Sequence, residues 1–339
     1  MRKAILGMIL LIIGWAFVPA SEEFLISEDT PVAELLTMLG EESAEKQPDF
    51  SVGNVSAEIG EDIVKNGFSS REGFNKSKRQ SKHFVCTSCH NTVREDPVLG
   101  ANNPQDRLLY SVENGIPFLQ ATTLWGAVNR ETYYNGDYYK KYGDLVKPAR
   151  HSIREAIQLC AVECAQGRIL EDWELESILA YLWTLELKVS DLGLSEKELQ
   201  SVQLALENDK IQKEANKLIK TKYATKSDAT FIEPPSDRRE GYGLEGNLEN
   251  GKLIYEQSCL HCHYQKRYSY LNLDDTKMTF KYLSNKAPTY SRFSIYQVVR
   301  YGTFSKHGKK SYMPLYTEEK MDDQQMEDLR AYISYRAAR

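Results

Sequence analysis

The arrangement of apolar and polar positions predicts a mainly α-helical protein made of two similar units. Apolar residues recur at helical spacing in residues 178–182 and 329–333, and no alternating run of useful length predicts a β-strand. Residues 60–64 and 251–255 each begin with a glycine followed by apolar positions, and they are predicted to open the two units. The units are therefore expected to be diverged copies of one plan.

This pattern divides the chain into five predicted segments. They are an export signal (residues 1–20), a tether with one or two helical turns (21–56), a first domain (57–192), a helical and irregular linker (193–245) and a second domain (246–339). The signal has a basic start at Arg2 and Lys3, an apolar run, and small residues up to Ala20. In the linker, Ser195 and Glu198 form the pattern of a helical capping box.

The signal predicts that the mature protein lies outside the cytoplasm, in the periplasm if the source is Gram-negative; an uncleaved anchor is the alternative. No interior run approaches the ~18–20 apolar residues needed to cross a bilayer, so no stable membrane span is expected after cleavage. The chain carries 43 Lys and Arg against 48 Asp and Glu, a net charge of −5. This balance argues against a nucleic-acid partner, which requires a basic face.

Each unit contains one copy of the motif Cys-x-x-Cys-His, which is the attachment signature of c-type haem. The two cysteines form thioethers with the haem vinyl groups, and the histidine becomes the proximal iron ligand. A zinc site would need a further pair of Cys or His at matching spacing in each unit, and that pair is missing. We therefore expect two covalently bound haems in two class I cytochrome c-like domains. Their predicted attachment residues are Cys86, Cys89 and His90, and Cys259, Cys262 and His263.

The second unit offers a methionine as the other axial ligand. Met313 stands before Pro314 and ahead of the closing helix, as the distal ligand does in class I cytochromes c. A thioether favours ferrous iron and raises the potential, so this haem is expected to be an electron-transfer centre. Met278, Met321 and His307 are the alternative ligands.

The first unit has no methionine, since none occurs between Met38 and Met278. It has Cys160 and Cys164 instead, on one apolar face of a predicted helix. A disulfide between them is strained, because i,i+4 Cβ atoms are about 5–6 Å apart and a disulfide needs about 3.5–4.5 Å. A pair of buried free thiols is a second interpretation. The third is that one thiolate ligates the first haem iron, with His151 as the rival ligand.

Two stretches of the first unit carry a family resemblance. Ile157-x-x-Cys160-x6-Gly167-Arg168-x-Leu170 and Glu176-x-Ile178-x-Ala180-Tyr181-x3-Leu185 resemble the first domain of the diheme thiosulfate dehydrogenase/tetrathionate reductase cytochromes. The segments Gly60-Glu-Asp-Ile-Val64 and Phe84-x-Cys86-x-x-Cys89-His90-Asn91 are also similar to that family. A related resemblance is to the A subunit of the Sox cytochromes, which place a cysteine on an active-site haem.

The resemblance implies that Cys160, rather than Cys164, is the distal ligand of an active-site haem, and that Arg168 is the matching catalytic cation. It implies reversible coupling of two thiosulfates into tetrathionate, with two electrons passed through the second haem to a redox partner such as a cytochrome or an oxidase. The sequence departs from the family in three ways: Cys86 and Cys259 lie 173 residues apart, residues 100–150 form an aromatic-rich insert, and Cys164 is additional. The insert is expected to roof the first haem or to dock a partner, with ordinary surface packing as the alternative for most of its tyrosines.

Two other functions compete with the sulfur-compound oxidoreductase. The first is a diheme electron-transfer cytochrome without substrate chemistry, in which Cys160 only sets a low potential. The second is a diheme peroxidase, which requires an open or displaceable distal position on its catalytic haem. The cysteine-bearing helix disfavours the peroxidase and does not separate the other two functions.

Overall fold

The chain was examined as a computed structural model, which describes residues 26–41, 46–303 and 312–339. The predicted signal (residues 1–20) and the candidate ligand His307 lie outside the described residues. Within them the protein is helical and has no β-strand, only isolated bridges between Pro31 and Lys188 and between Thr132 and Lys226. The mainly α fold predicted from the sequence is confirmed. None of the described helices combines the length and apolarity needed to cross a membrane.

Fourteen α-helices are present in the described part of the chain. The first seven are α1 (Val32–Met38), α2 (Ala57–Asn66), α3 (Pro104–Glu113), α4 (Tyr138–Tyr142), α5 (Val146–Ala149), α6 (Ile153–Leu159) and α7 (Asp172–Trp183). The others are α8 (Glu196–Leu206), α9 (Gln212–Lys220), α10 (Leu248–Ile254), α11 (Leu260–His263), α12 (Lys277–Lys286), α13 (Ile295–Tyr301) and α14 (Asp323–Ala338). Two π-helical turns, Cys160–Cys164 and Tyr255–Cys259, continue α6 and α10.

The opening and closing helices of each unit cross at a glycine. In the first unit, a Cβ atom added to Gly60 of α2 would lie 1.9 Å from the carbonyl oxygen of Ser177 in α7. In the second, a Cβ atom added to Gly251 of α10 would lie 2.0 Å from the carbonyl oxygen of Asp328 in α14. Only glycine permits such an approach of two backbones. The repeated plan predicted from the sequence is thus present as the same helix crossing in both units.

The helix boundaries follow from local capping chemistry. The Oγ atom of Ser56 accepts a hydrogen bond from the amide of Ile59 at the start of α2, and α2 ends at Gly67, whose φ of 79° is left-handed. The predicted capping box of α8 is present, with the Glu198 amide 3.4 Å from Ser195 Oγ and the Ser195 amide 2.9 Å from the Glu198 carboxylate.

Three apolar clusters hold the described residues together. The first cluster, in the first unit, is built on α2 and α7. The second cluster, in the second unit, is built on α10 and α12–α14. The insert contributes Leu108 and Phe118 to the second cluster, although it belongs to the first unit in sequence. The third cluster joins α1 to α8 and α9.

Helix α1 supplies the short helical stretch expected in the tether, but it is packed rather than free. Its apolar face, Val32, Leu35 and Leu36, is buried against Val202 of α8 and Ile219 of α9. Burial of three aliphatic side chains against an equally apolar hairpin explains why this part of the tether is fixed.

Candidate haem centres and the first cavity

The first Cys-x-x-Cys-His motif lies on the wall of a large cavity. Cys86 and Cys89 lie on and directly after a short 3-10 turn, and His90 follows them. The cavity has a volume of about 1470 Å³, including the part open to solvent. Most of its walls are aliphatic or aromatic, among them Val64, Phe84, Leu124, Ile157, Leu170 and Ile178.

His90 is oriented across this cavity towards Cys160. Its Nδ1 atom lies 2.6 Å from the carbonyl oxygen of Thr122, which can accept only from a protonated Nδ1. The Nε2 atom is therefore left with its lone pair, and it lies 4.0 Å from the Sγ atom of Cys160. Burial lowers the pKa of His90, which favours the neutral form that binds metals.

This separation suits a metal ion held between the two side chains. Typical metal–imidazole and metal–thiolate bonds, taken from zinc sites, are about 2.0 Å and about 2.3 Å long, so an ion on the line between them needs about 4.3 Å. The observed 4.0 Å is close to that sum. The thiols of Cys86 and Cys89 line the same cavity, where they could attach the porphyrin, and the apolar walls suit its hydrocarbon surface.

Cys160 and Cys164 are both free thiols in the structure and lie on one π-helical turn. The amide of Ala165 donates to the carbonyl of Cys160, which closes this turn. A hydrogen bond from Cys160 to Cys164 lowers the pKa of Cys164 to about 6, although burial opposes the shift. The same hydrogen bond and burial raise the pKa of Cys160.

Tyrosines of the insert roof the cavity above Cys164. The hydroxyl of Tyr142 lies 3.3 Å from the Cys164 sulfur and that of Tyr134 lies 3.7 Å away. Tyr133 and Tyr138 also line the cavity. Tyr312 joins this roof from the second unit, with its hydroxyl 3.3 Å from that of Tyr142. The insert therefore covers the cavity that the first haem is predicted to occupy.

Two other residues predicted near the site lie elsewhere. Arg168 makes a bidentate ion pair with Glu174, both N–O distances being 2.6 Å, and donates to the carbonyl of Lys78. It therefore ties the start of α7 to a neighbouring loop, and it does not line the cavity. His151 is exposed and lines a separate depression beside Arg154. The structure thus brings neither Arg168 nor His151 to Cys160.

Sequence reasoning missed three polar residues of the cavity: Arg130, Lys141 and Tyr312. Arg130 donates to the carbonyl of Thr123, and burial lowers its pKa. Lys141 lies in the aromatic-rich insert of residues 100–150, and Tyr312 lies directly before Met313. Neither position carries a pattern that distinguishes it from ordinary surface residues.

The second motif repeats the histidine geometry of the first. His263 ends α11, and its Nδ1 atom lies 3.0 Å from the carbonyl oxygen of Leu271, which again leaves Nε2 for a metal. Burial lowers the pKa of His263. Cys259 ends the π-helical turn that continues α10 and packs against the second apolar cluster.

The candidate methionines of the second unit differ in their surroundings. Met313 is partly buried and packs against the same cluster as Cys259, and its amide donates to Thr303 Oγ1 at 2.7 Å. Met321 is fully buried within the core, where its thioether is part of the packing. Met278 is 79% exposed. Of these three methionines, Met313 alone is neither fully buried in the core nor largely exposed to solvent.

The two haem-attachment motifs touch each other. The Sγ atom of Cys262 lies 3.9 Å from the carbonyl oxygen of Ser88. The first and second units therefore meet at the turns that carry the two Cys-x-x-Cys-His motifs.

The fold and the second motif define a c-type cytochrome domain, that is, an electron-transfer module with covalently bound haem. Residues 246–333 match the family described as cytochrome C oxidase, cbb3-type, subunit III. This match confirms the c-type cytochrome character predicted from the sequence, and with it haem, iron and electron transfer with a redox partner. No curated protein and no solved structure matches the chain.

Proposed function

We propose that this protein is an exported two-haem cytochrome c that oxidises or forms small sulfur oxyanions of the thiosulfate/tetrathionate type. In this proposal Cys86 and Cys89 attach the first haem, and His90 and Cys160 ligate its iron. The observation that carries the proposal is the 4.0 Å separation of His90 Nε2 and Cys160 Sγ across the apolar cavity. The predicted signal in residues 1–20 supports export.

The rival ligands of the first iron are less well supported. Cys164 faces the hydroxyls of Tyr134 and Tyr142, and His151 is exposed outside the cavity. Cys160 also matches the ligand position of the family that the sequence resembles. Two observations therefore favour Cys160 as the ligand: its place in the sequence motif and the position of its sulfur opposite His90.

The second unit provides the onward path for electrons. His263 and Met313 are the proposed ligands of the second iron, and the contact between Cys262 and Ser88 supports a short path between the two centres. When bound, each haem iron accepts one electron. Two thiosulfates joined through a new S–S bond release two electrons, which two such centres can take up. A redox partner protein, a cytochrome or an oxidase, then receives them.

Electron paramagnetic resonance of the holoprotein tests the ligand assignment. We expect wild type to show a low-spin ferric signal with thiolate ligation, and Cys160→Ala to lose it. The matched variant Cys164→Ala, four residues away on the same π-helical turn, is expected to keep it. Identical spectra of wild type and Cys160→Ala would contradict the assignment.

Reduction of the haems by thiosulfate tests the reaction. We expect thiosulfate to reduce both haems of wild type and to yield tetrathionate, and we expect Cys160→Ala to abolish this. Haems that are reduced by dithionite but not by thiosulfate, with no turnover of tetrathionate, would reject the reaction.

A second candidate function is a two-haem electron carrier without substrate chemistry. The cytochrome c family match of residues 246–333 favours it, because it concerns electron transfer alone. Failure of thiosulfate to reduce an otherwise intact protein would select it. A peroxidase is disfavoured because Cys160 stands opposite His90, where a peroxidase needs an open position.

A further inference from the structure

Lys141 directs a positive charge into the first cavity. It lies on α4 next to Lys140, but the two lysines differ in surroundings. Lys140 is largely exposed and pairs with Asp137 at 2.9 Å. Lys141 is partly buried, lines the cavity, and its ammonium lies 3.0 Å from the hydroxyl of Tyr312. No carboxylate of the described residues lies within ion-pair distance of it.

This placement gives the Lys141 charge one hydroxyl and the rings of Tyr142 and Tyr312 as partners, and no carboxylate among the described residues. An ammonium group has three N–H donors, and the hydrogen bond to Tyr312 uses one of them. A charge removed from water is costly unless it is paired, and burial lowers the pKa of Lys141 accordingly. The thiol of Cys164 can become negative and raises the pKa of Lys141 by its charge, against the effect of burial, so a Cys164 thiolate is the alternative counter-ion for this lysine.

Tyrosine hydroxyls converge on the same point. The hydroxyl of Tyr142 lies 3.3 Å both from Cys164 Sγ and from the hydroxyl of Tyr312. The hydroxyl of Tyr134 lies 3.7 Å from the same Cys164 sulfur. A cation and several hydroxyl donors gathered at the wall of an apolar cavity are the groups that bind an oxyanion, since charge-assisted hydrogen bonds are the stronger ones.

We propose that Lys141, together with the hydroxyls of Tyr142 and Tyr312, forms a subsite for the oxyanion end of a small sulfur anion. The identity of that anion rests on the proposed function. The subsite lies beside the thiols of Cys160 and Cys164, so an anion held there has its other end at the thiol-lined wall. Lys141 thus supplies the substrate-binding cation that the sequence predicted at Arg168, whereas Arg168 is ion-paired with Glu174.

Binding to the holoprotein tests the subsite without relying on turnover. The probes are sulfate and thiosulfate, measured by isothermal titration calorimetry. We expect Lys141→Met to weaken both at least about tenfold, which corresponds to about 1.4 kcal/mol. Lys141→Arg keeps the charge and is expected to bind both anions. Lys140→Met, one residue away, is the matched control and is expected to bind like wild type.

The outcomes separate this proposal from the proposed function. An unchanged visible haem spectrum in each variant shows that the protein is folded and loaded. Equal binding by Lys141→Met and wild type, or no binding of either anion to wild type, overturns the subsite. The absence of anion binding to wild type is also the result expected if a Cys164 thiolate is the counter-ion of Lys141. Lys141-dependent binding of thiosulfate without haem reduction supports the subsite and rejects the oxidation.

Discussion

The Nζ atom of Lys320 lies 3.0 Å from Oε1 of Glu95, and this ion pair joins the second unit to the first. Arg107 of α3 approaches the other oxygen of the same carboxylate at 3.2 Å. The side chains of Glu95 and Arg107 are 0% and 1% exposed. One buried carboxylate thus holds cations from the insert and from the second unit, close behind the first haem motif.

We predict that Glu95→Ala lowers the free energy of unfolding by about 3–5 kcal/mol, because it leaves two buried cations without a counter-charge. Urea denaturation of the holoprotein measures this. The control is Lys188→Met, which breaks an exposed pair with Asp29 whose side chains are 50% and 84% exposed. That change is expected to alter stability far less than Glu95→Ala, because solvent screens an exposed pair. A Glu95→Ala cost as small as the control would show that the cluster does not hold the units together.

The same carboxylate predicts a dependence on pH. Burial alone would raise the pKa of Glu95, but Arg107 and Lys320 lower it below its ordinary value. The contribution of the ionised group is therefore present above the unfolded pKa of about 4.3 and is lost as the pH falls through the folded pKa. We expect the stability difference between wild type and Glu95→Gln to narrow below about pH 4. A stability difference that stays constant well below pH 4 would contradict the assignment.

The repeated plan was predictable because it depends on local pattern. Gly60 and Gly251, the two closing helices and the two Cys-x-x-Cys-His motifs are visible as residue types at fixed spacing. The packing of α1 was not predictable, since its partners α8 and α9 lie more than 150 residues away in sequence. The contribution of Leu108 and Phe118 to the second cluster was hidden for the same reason.

The glycines at the helix crossings give a third prediction. Alanine is the better helix former by about 1 kcal/mol, but a Cβ atom on Gly251 would lie 2.0 Å from the backbone of Asp328. We expect Gly251→Ala to destabilise the protein by about 1–3 kcal/mol, because α10 and α14 must separate. Lys252→Ala, at the exposed neighbouring position, is expected to change stability by less than about 0.5 kcal/mol. Thermal denaturation of both variants distinguishes the steric effect of the helix crossing, which lowers stability, from the effect of helix propensity, which raises it.

The site was predictable only in part. The spacing of Cys160 to Gly167 and Arg168 identifies a motif, but spacing does not show which way a side chain turns. Arg168 turns towards Glu174, and the cation of the cavity is Lys141. Such choices depend on tertiary contacts, as Tyr312 shows, since its neighbours in the roof come from the other unit.

The position of Arg168 gives a fourth prediction. Arg168→Met removes the bidentate partner of the buried Glu174 carboxylate. We expect a loss of about 1–3 kcal/mol in unfolding free energy, as for a buried acceptor left unsatisfied. Sulfate and thiosulfate binding to the folded protein is expected to stay at the wild-type level. Weakened anion binding with unchanged stability would restore Arg168 to the catalytic role that the sequence suggested.

The surroundings of the methionines give the last prediction, which concerns the second haem. Thioether ligation raises the potential of a His-ligated haem iron, so we expect Met313→Ala to lower the midpoint potential of one haem and to leave the other unchanged. Met278→Ala alters a side chain that is 79% exposed and is expected to change neither potential. Met321→Ala removes a buried core side chain and is expected to cost about 2–5 kcal/mol of stability without moving a potential. A spectroelectrochemical titration of the three variants measures the midpoint potentials and shows which methionine ligates the iron and which only packs in the core. A lowered potential in Met321→Ala, with none in Met313→Ala, would transfer the ligand role to Met321.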